Sequence, residues 1–245
     1  MTHTHHAGRR EFLKRSALAS GSLLVAGFAG AARGQPAQPQ GKDQKAPAAD
    51  DVTPVEDLMR EHGALRRILL IYEEAIKRID ARVDLPPEPL VSAADLVRRF
   101  VEDYHEKLEE NHLFPRFEKA AKLVELVVVL QAQHQAGRRL TDQIRQRATA
   151  AALKSPAESR ILAESLRAFL RLYRPHAARE DTVLFPAFRA LVTPAEYDKL
   201  GDEFEDQENK LFGADGFEKV VGDVAALEKT LGIYDLAQFT PQAKE

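Results

Sequence analysis

HEKLEENHLFP, residues 105–115, returns seventy-one residues later as HAAREDTVLFP, residues 176–186. In each copy a His is followed four residues on by a Glu, at 105/109 and 176/180, and ten residues on by the Pro of Leu-Phe-Pro. Positions four apart on an α-helix lie about 40° apart round its axis and one turn apart along it. His105 with Glu109, and His176 with Glu180, therefore project toward one spot. The repeat extends upstream, where His62-Gly-Ala-Leu-Arg66-Arg67 is echoed by His134-Gln-Ala-Gly-Arg138-Arg139. The chain thus writes one helical hairpin twice, with a His on its first helix and a His/Glu pair on its second.

Helix boundaries are marked by a shared device. Thr53-Pro54-Val55-Glu56, Ser155-Pro156-Ala157-Glu158 and Thr193-Pro194-Ala195-Glu196 each place a hydroxyl at N-cap, Pro at the first helical position and Glu at the third, the signature of a capping box. The pattern predicts helices from Thr53 to about Arg82, Val91 to Asn111, Glu118 to Ala152, and Pro156 to Leu191, the last bent near Pro175. Leu58, Leu65, Ile68, Leu69, Tyr72 and Ile76 give the first an apolar stripe. Four helices in series with short connections predict an all-α, up-down-up-down antiparallel four-helix bundle over residues 53–192. Two more helices, Pro194 to Phe212 and Phe217 to Leu231, form an extension over residues 193–245, with Gly213 and Gly232 as C-terminal stops. They are expected to cap the bundle or to join copies of the chain. The acidic segment GDEFEDQEN, residues 201–209, reads as a solvated helix face.

There is no cysteine, so any metal must be held by nitrogen and oxygen. Of the eight histidines, His3, His5 and His6 lie near the N-terminus, and four of the other five fall on repeat positions. Packing two hairpins about a pseudo-twofold axis brings His62, His105, His134 and His176 together with Glu109 and Glu180. Six ligands exceed one tetrahedral ion and suit two ions, each with about three protein ligands, shared carboxylates and an open position. A single buried His is more often a hydrogen-bonded core residue, and it is the symmetric set that points to metal. His112 shares the face of His105 two turns away, about 10 Å along the axis; its counterpart is Val183, and it reads as a surface or packing residue. Leu-Phe-Pro reads as an apolar plug closing each second helix, with Phe114 and Phe185 packed round the metal.

His62, His105-x-x-x-Glu109 leading into Leu113-Phe114-Pro115, His134, and His176-x-x-x-Glu180 leading into Leu184-Phe185-Pro186 resemble the hemerythrin-like (HHE cation-binding) domain, over about residues 53–191. The resemblance implies two non-haem iron ions bridged by carboxylates and an oxo or hydroxo group. It implies binding or sensing of dioxygen or related small oxidants, or iron and nitric oxide handling. The oxygen-carrying hemerythrins use five histidines, two of them four residues apart on the third helix, where this chain has Arg138. That departure leaves room for a di-iron oxidoreductase, a peroxidase or a nitric-oxide-handling catalyst, on the same scaffold. A structural bundle without metal is the remaining alternative. Glu106 is a candidate extra carboxylate although it lies about 100° round the helix from His105. The carriers place their last carboxylate five residues after the His, at Asp181 here, whereas the internal repeat favours Glu180.

The first 34 residues read as an address. Arg9-Arg10-Glu11-Phe12-Leu13-Lys14 matches a twin-arginine consensus, followed by an Ala/Gly/Leu/Val-rich stretch to Ala32 and a cleavage pattern at Ala29-Gly30-Ala31. The apolar stretch is broken by serines and glycines and falls short of the ~20 residues of a spanning helix. Export to the periplasm or beyond is expected, by a route that carries folded, cofactor-loaded proteins. Residues 35–52, rich in Gln, Pro and Ala, read as a flexible linker. The full chain has a net charge of −3. Loss of the leader's five basic residues and one acid makes it more negative, and with no basic stripe the body is not expected to bind nucleic acid.

Overall fold

Hydroxyl caps start three of the helices as their sequences require. In the computed structural model, which describes residues 52–241, the side chains of Thr53, Ser155 and Thr193 accept from the backbone N–H groups of Glu56, Glu158 and Glu196. At Thr193 the reciprocal bond from its own N–H to Glu196 Oε2 completes the box at 2.8 Å. Helix α1 (Pro54–Ala81) ends where Arg82 turns left-handed at φ 54°. The twin-arginine leader expected over 1–34, and all of the expected linker but Val52, lie outside the described residues.

The second helix, α2, spans residues 87–119 and is longer than its sequence reading at both ends. Pro86, Pro87 and Pro89 look like a break, yet Pro86 is the N-cap and the other two stand in the first turn, where a missing N–H costs nothing. Nor is α2 a uniform α-helix. It runs α (Pro87–Leu96), π (Val97–His105), α (Glu106–Leu108), π (Glu109–Leu113) and α (Phe114–Lys119). Helix α3 (Val124–Arg147) starts later than expected, after a connection in which Ala121 and Leu123 take positive φ. It gives way at Ala148 to a separate short turn, Ala150–Lys154. Helix α4 spans 156–191: Pro156–Arg179, a π turn Glu180–Leu184, Phe185–Phe188 and a 3-10 turn Arg189–Leu191. Pro175 sits inside its first segment.

The two short π turns occupy matching places in the repeat, each immediately before Phe-Pro. The Phe114 N–H donates to the Glu109 carbonyl and the Phe185 N–H to the Glu180 carbonyl, five residues back in both cases. A proline ring clashes with the carbonyl four residues before it in a regular α-helix. The widened turn precedes Pro115 and Pro186, and the helix continues past both. Leu-Phe-Pro therefore does not close either helix, contrary to the sequence reading.

α1 packs on α4, α4 on α3, and α2 lies against both α1 and α3, which closes an antiparallel four-helix bundle. Its core runs through Leu58, Ile68 and Tyr72, Val97 and Phe100, Leu130 and Ile144, Leu166 and Phe169. Helices α5 (Pro194–Phe212) and α6 (Gly216–Thr230) cover the α1/α2 face, and the described residues from Thr53 onward form one compact unit. Residues 201–209 are not simply a solvated face, because Phe204 and Glu208 of α5 are buried. Among the described residues there is no strand, and no helix is long and apolar enough to cross a membrane.

One close approach joins α3 to α4. A Cβ added at Gly137 would fall on the Tyr173 hydroxyl, whose ring is fully packed against Phe169 and which donates to Glu106 Oε1 at 2.8 Å. Gly137→Ala should therefore destabilise the bundle by about 1–3 kcal/mol through overpacking, read as a lower denaturant midpoint. An unchanged midpoint would show that Tyr173 moves aside freely.

Candidate metal centre

The bundle centre gathers the six residues of the repeat, each of them buried. Ligand-type atoms of Glu109, His134, His176 and Glu180 lie within 4.8 Å of one another, and so do those of His62, His105 and Glu109. The two groups form halves of one cage that share Glu109. Inside it the imidazoles present Nε2: His62 Nε2 is 3.4 Å and His176 Nε2 3.1 Å from Glu180 Oε2. His134 Nε2 is 3.3 Å from Glu109 Oε2, and the Nε2 atoms of His62 and His105 are 3.0 Å apart.

Behind each ring, Nδ1 is held by an acceptor: Asp181 for His62 at 2.7 Å, Glu61 for His105 at 2.7 Å, Glu110 for His134 at 3.1 Å and Gln133 for His176 at 3.0 Å. Such partners fix the tautomer with the proton on Nδ1 and leave Nε2 as the donor atom, the usual orientation of metal-binding imidazoles. Their placement obeys the repeat. Glu61 and Gln133 each precede the first-helix His and hold the second-helix His of their own hairpin. Glu110 and Asp181 each follow the Glu and hold the first-helix His of the other hairpin. Phe114 stacks on His134 and Phe185 on His62, with ring centroids 5.5 Å apart in both pairs. Phe114 and Phe185 shield the cage, as their positions in the sequence indicate.

Arg66 and Arg138, each four residues after a first-helix His, complete the pattern. Arg66 pairs with Asp181, and Arg138 pairs with Glu110 at 2.7 Å and Glu106 at 2.8 Å. Asp181 thus lies behind His62, outside the cage. Glu106 is engaged by Tyr173 and Arg138. His112 is half-buried against the Phe204 ring and stands 3.8 Å from Glu203, outside the cluster. Glu61, Glu110 and Gln133 were missed by sequence reasoning, which looked only for ligands. The signal was available in the acid that directly follows the Glu in both copies and in the equivalent positions before His62 and His134.

The electrostatics are those of a cage built for cations. Burial pushes the His62 imidazole down, but its hydrogen bond to Asp181 and the nearby charges of Glu180 and Glu109 raise it to about 9. At His134 burial is likewise outweighed, by Glu106, Glu109 and Glu110, and the value rises to about 10. Burial and the neighbouring imidazoles hold His105 well below the ordinary range. Burial and then Glu180 push the Glu109 carboxyl upward. At Glu180 burial acts the same way, yet His176, His62 and His134 prevail and lower it. Both oxygens of Glu109, both of Glu180 and Nε2 of His134 are buried without a hydrogen-bond partner. Buried polar atoms are ordinarily paired. Five converging orphans, on an all-nitrogen-and-oxygen donor set, are what two ions with shared carboxylates would satisfy.

The hemerythrin HHE cation binding domain matches residues 53–188. Over 236 residues the chain is 46% identical to uncharacterized proteins of Mycobacterium bovis and Mycobacterium tuberculosis, and the alignment covers 96% of this chain and 91% of each of them. No solved structure matches the chain.

Because Glu109 is raised in the folded state, it stays protonated after its unfolded counterpart ionises, and its stabilising effect is lost as pH rises from the ordinary carboxylate range into neutrality. Metal-free Glu109→Gln should therefore melt above metal-free wild type at pH 8, by about 2–4 °C for each kcal/mol of relieved charge burial. The gap should close toward pH 4.5. A variant that melts lower at pH 8 would contradict this account.

Proposed function

The chain belongs to the hemerythrin HHE cation-binding family, and from that premise we propose that it is an exported non-haem di-iron protein that binds or senses dioxygen or a related small oxidant. The observation that carries the reading is the convergence of orphaned carboxylate oxygens between imidazoles whose outer nitrogens are already held. His62 and His105 would hold one ion, His134 and His176 the other, with Glu109 and Glu180 placed between them. Bound iron supplies affinity for small diatomic ligands and one-electron redox chemistry.

The remaining work belongs to the chain. Asp181, Glu61 and Glu110 raise the donor strength of the imidazoles behind which they sit. Phe114, Phe185 and the fully buried Leu113 and Leu184 keep bulk water from the cage. The leader motif Arg9-Arg10-Glu11-Phe12-Leu13-Lys14 supports export. A second reading, a di-iron oxidoreductase acting on peroxide or nitric oxide, is favoured by Arg138. Where the carriers have a fifth histidine, this side chain is tied to Glu106 and Glu110 and adds no nitrogen to the cage.

Metal analysis with an optical spectrum, before and after air, tests the proposal. The purified protein should carry two irons per chain with near-ultraviolet charge-transfer bands, and His62→Ala or His134→Ala should lower the iron content. His112→Ala should leave it unchanged. Lack of stoichiometric iron, or iron indifferent to both cage variants, would overturn the reading. A reversible change on oxygenating the reduced protein supports binding or sensing, and irreversible oxidation supports the enzyme.

A further inference from the structure

The family match ends at residue 188, yet the extension beyond it reaches back toward the cage. Glu208 on α5 is 2% exposed. Its Oε1 accepts from the Phe217 N–H at the start of α6, at 2.9 Å, and its Oε2 lies 3.5 Å from the Tyr104 hydroxyl, next in sequence to His105. Gly216 makes room for this approach: a Cβ there would stand 3.0 Å from both Cγ and Oε1 of Glu208, and 2.8 Å from Cβ of Phe212.

Glu208 meets Asp57 and Glu61 of α1, with one oxygen from each of the three within 4.8 Å of the others. Glu61 is the residue whose Oε2 holds His105 Nδ1 at 2.7 Å. The same corner is gripped from outside. Arg60 lies over the Phe217 ring at 4.6 Å, stands 3.7 Å from Glu218 and reaches to 4.0 Å from Asp57. A line of neighbouring groups thus runs from the α5–α6 junction through Glu208 and Glu61 to His105. His176 is held from behind by Gln133 instead.

We infer that Glu208 is a positioning residue by which the C-terminal helices set the His62/His105 half of the cage. It boxes in the Glu61 carboxyl so that one oxygen faces His105, which fixes the direction of His105 Nε2. The inference rests on the metal reading above, and it concerns one half-site only. A merely structural role for Glu208 would disturb both halves alike.

Titration of the metal-free full chain with Co(II), followed by visible absorption and by competition with a colorimetric chelator, separates these cases. Wild type should take up two Co(II) per chain. In Glu208→Gln one equivalent should bind about tenfold more weakly, the low end of the effect of losing an outer partner, with a shifted visible band, while the other equivalent is unchanged. Gly216→Ala, which displaces Glu208 without altering it, should act in the same direction and decides the matter if Glu208→Gln does not fold. Glu228→Gln is the control. Glu228 is also buried on the extension and anchors α6 to α1 through Arg67 at 2.9 and 2.6 Å, but it touches no partner of the histidines. It should lower stability and leave both Co(II) equivalents unchanged. Two unaltered equivalents in the Glu208 and Gly216 variants, or equal weakening of both, would overturn the inference. Absence of Co(II) uptake by wild type would overturn the metal reading, and the inference with it.

Discussion

A carboxylate buried without a donor is among the least favourable groups a protein interior can hold, and this bundle buries two, Glu109 and Glu180, facing the same small space. The surrounding architecture answers to that constraint. Each carboxylate faces imidazole Nε2 atoms, and each imidazole is held from behind through Nδ1, which fixes the direction of its Nε2. Phenyl rings close over two of the imidazoles, so the interior compensation must come from protons or from cations and not from solvent. A lone pair of buried anions would be expelled or neutralised; a pair within a ring of four oriented imidazoles is a receptacle.

The long-range logic of this receptacle was legible in the order of residues. His62, His105, Glu109, His134, His176 and Glu180 stand at repeat positions, and a helix carries the i and i+4 members to one face whatever the details of packing. Hydroxyl-Pro-x-Glu starts were legible for the same reason, since a cap is a local device. The π turns were not. They carry each helix past a proline that more often ends one, Pro115 or Pro186, and so bring Phe114 and Phe185 against histidines of the opposite hairpin. The prolines at 86, 87 and 89 misled because the same residue that ends a helix also begins one. Glu208 misled because an acid in an acidic run looks solvated until a second helix covers it.

The duplicated hairpin also shows how a bundle divides labour between copies. Each hairpin orients its own second-helix imidazole, through Glu61 or Gln133, and supplies the other hairpin with an acid and a phenyl ring for its first-helix imidazole. Neither hairpin has a complete set of supports alone. Docking of the two is therefore written into the site itself, in addition to the apolar core that runs the length of the helices.

Gln133 is where the duplication stops being symmetrical. At the equivalent place the first hairpin has a carboxylate, Glu61, and a carboxylate makes the imidazole it supports a stronger electron donor than an amide does. Three of the four imidazoles are backed by a carboxyl group and one by an amide. The two ends of a cage that looks twofold in outline are thus chemically unequal: the end with both rings carboxyl-backed, His62 and His105, is the one that would better stabilise a higher charge. If the cage holds two ions, as proposed, a valence difference between them would have a preferred direction, determined by a single nitrogen-for-oxygen exchange outside the cage.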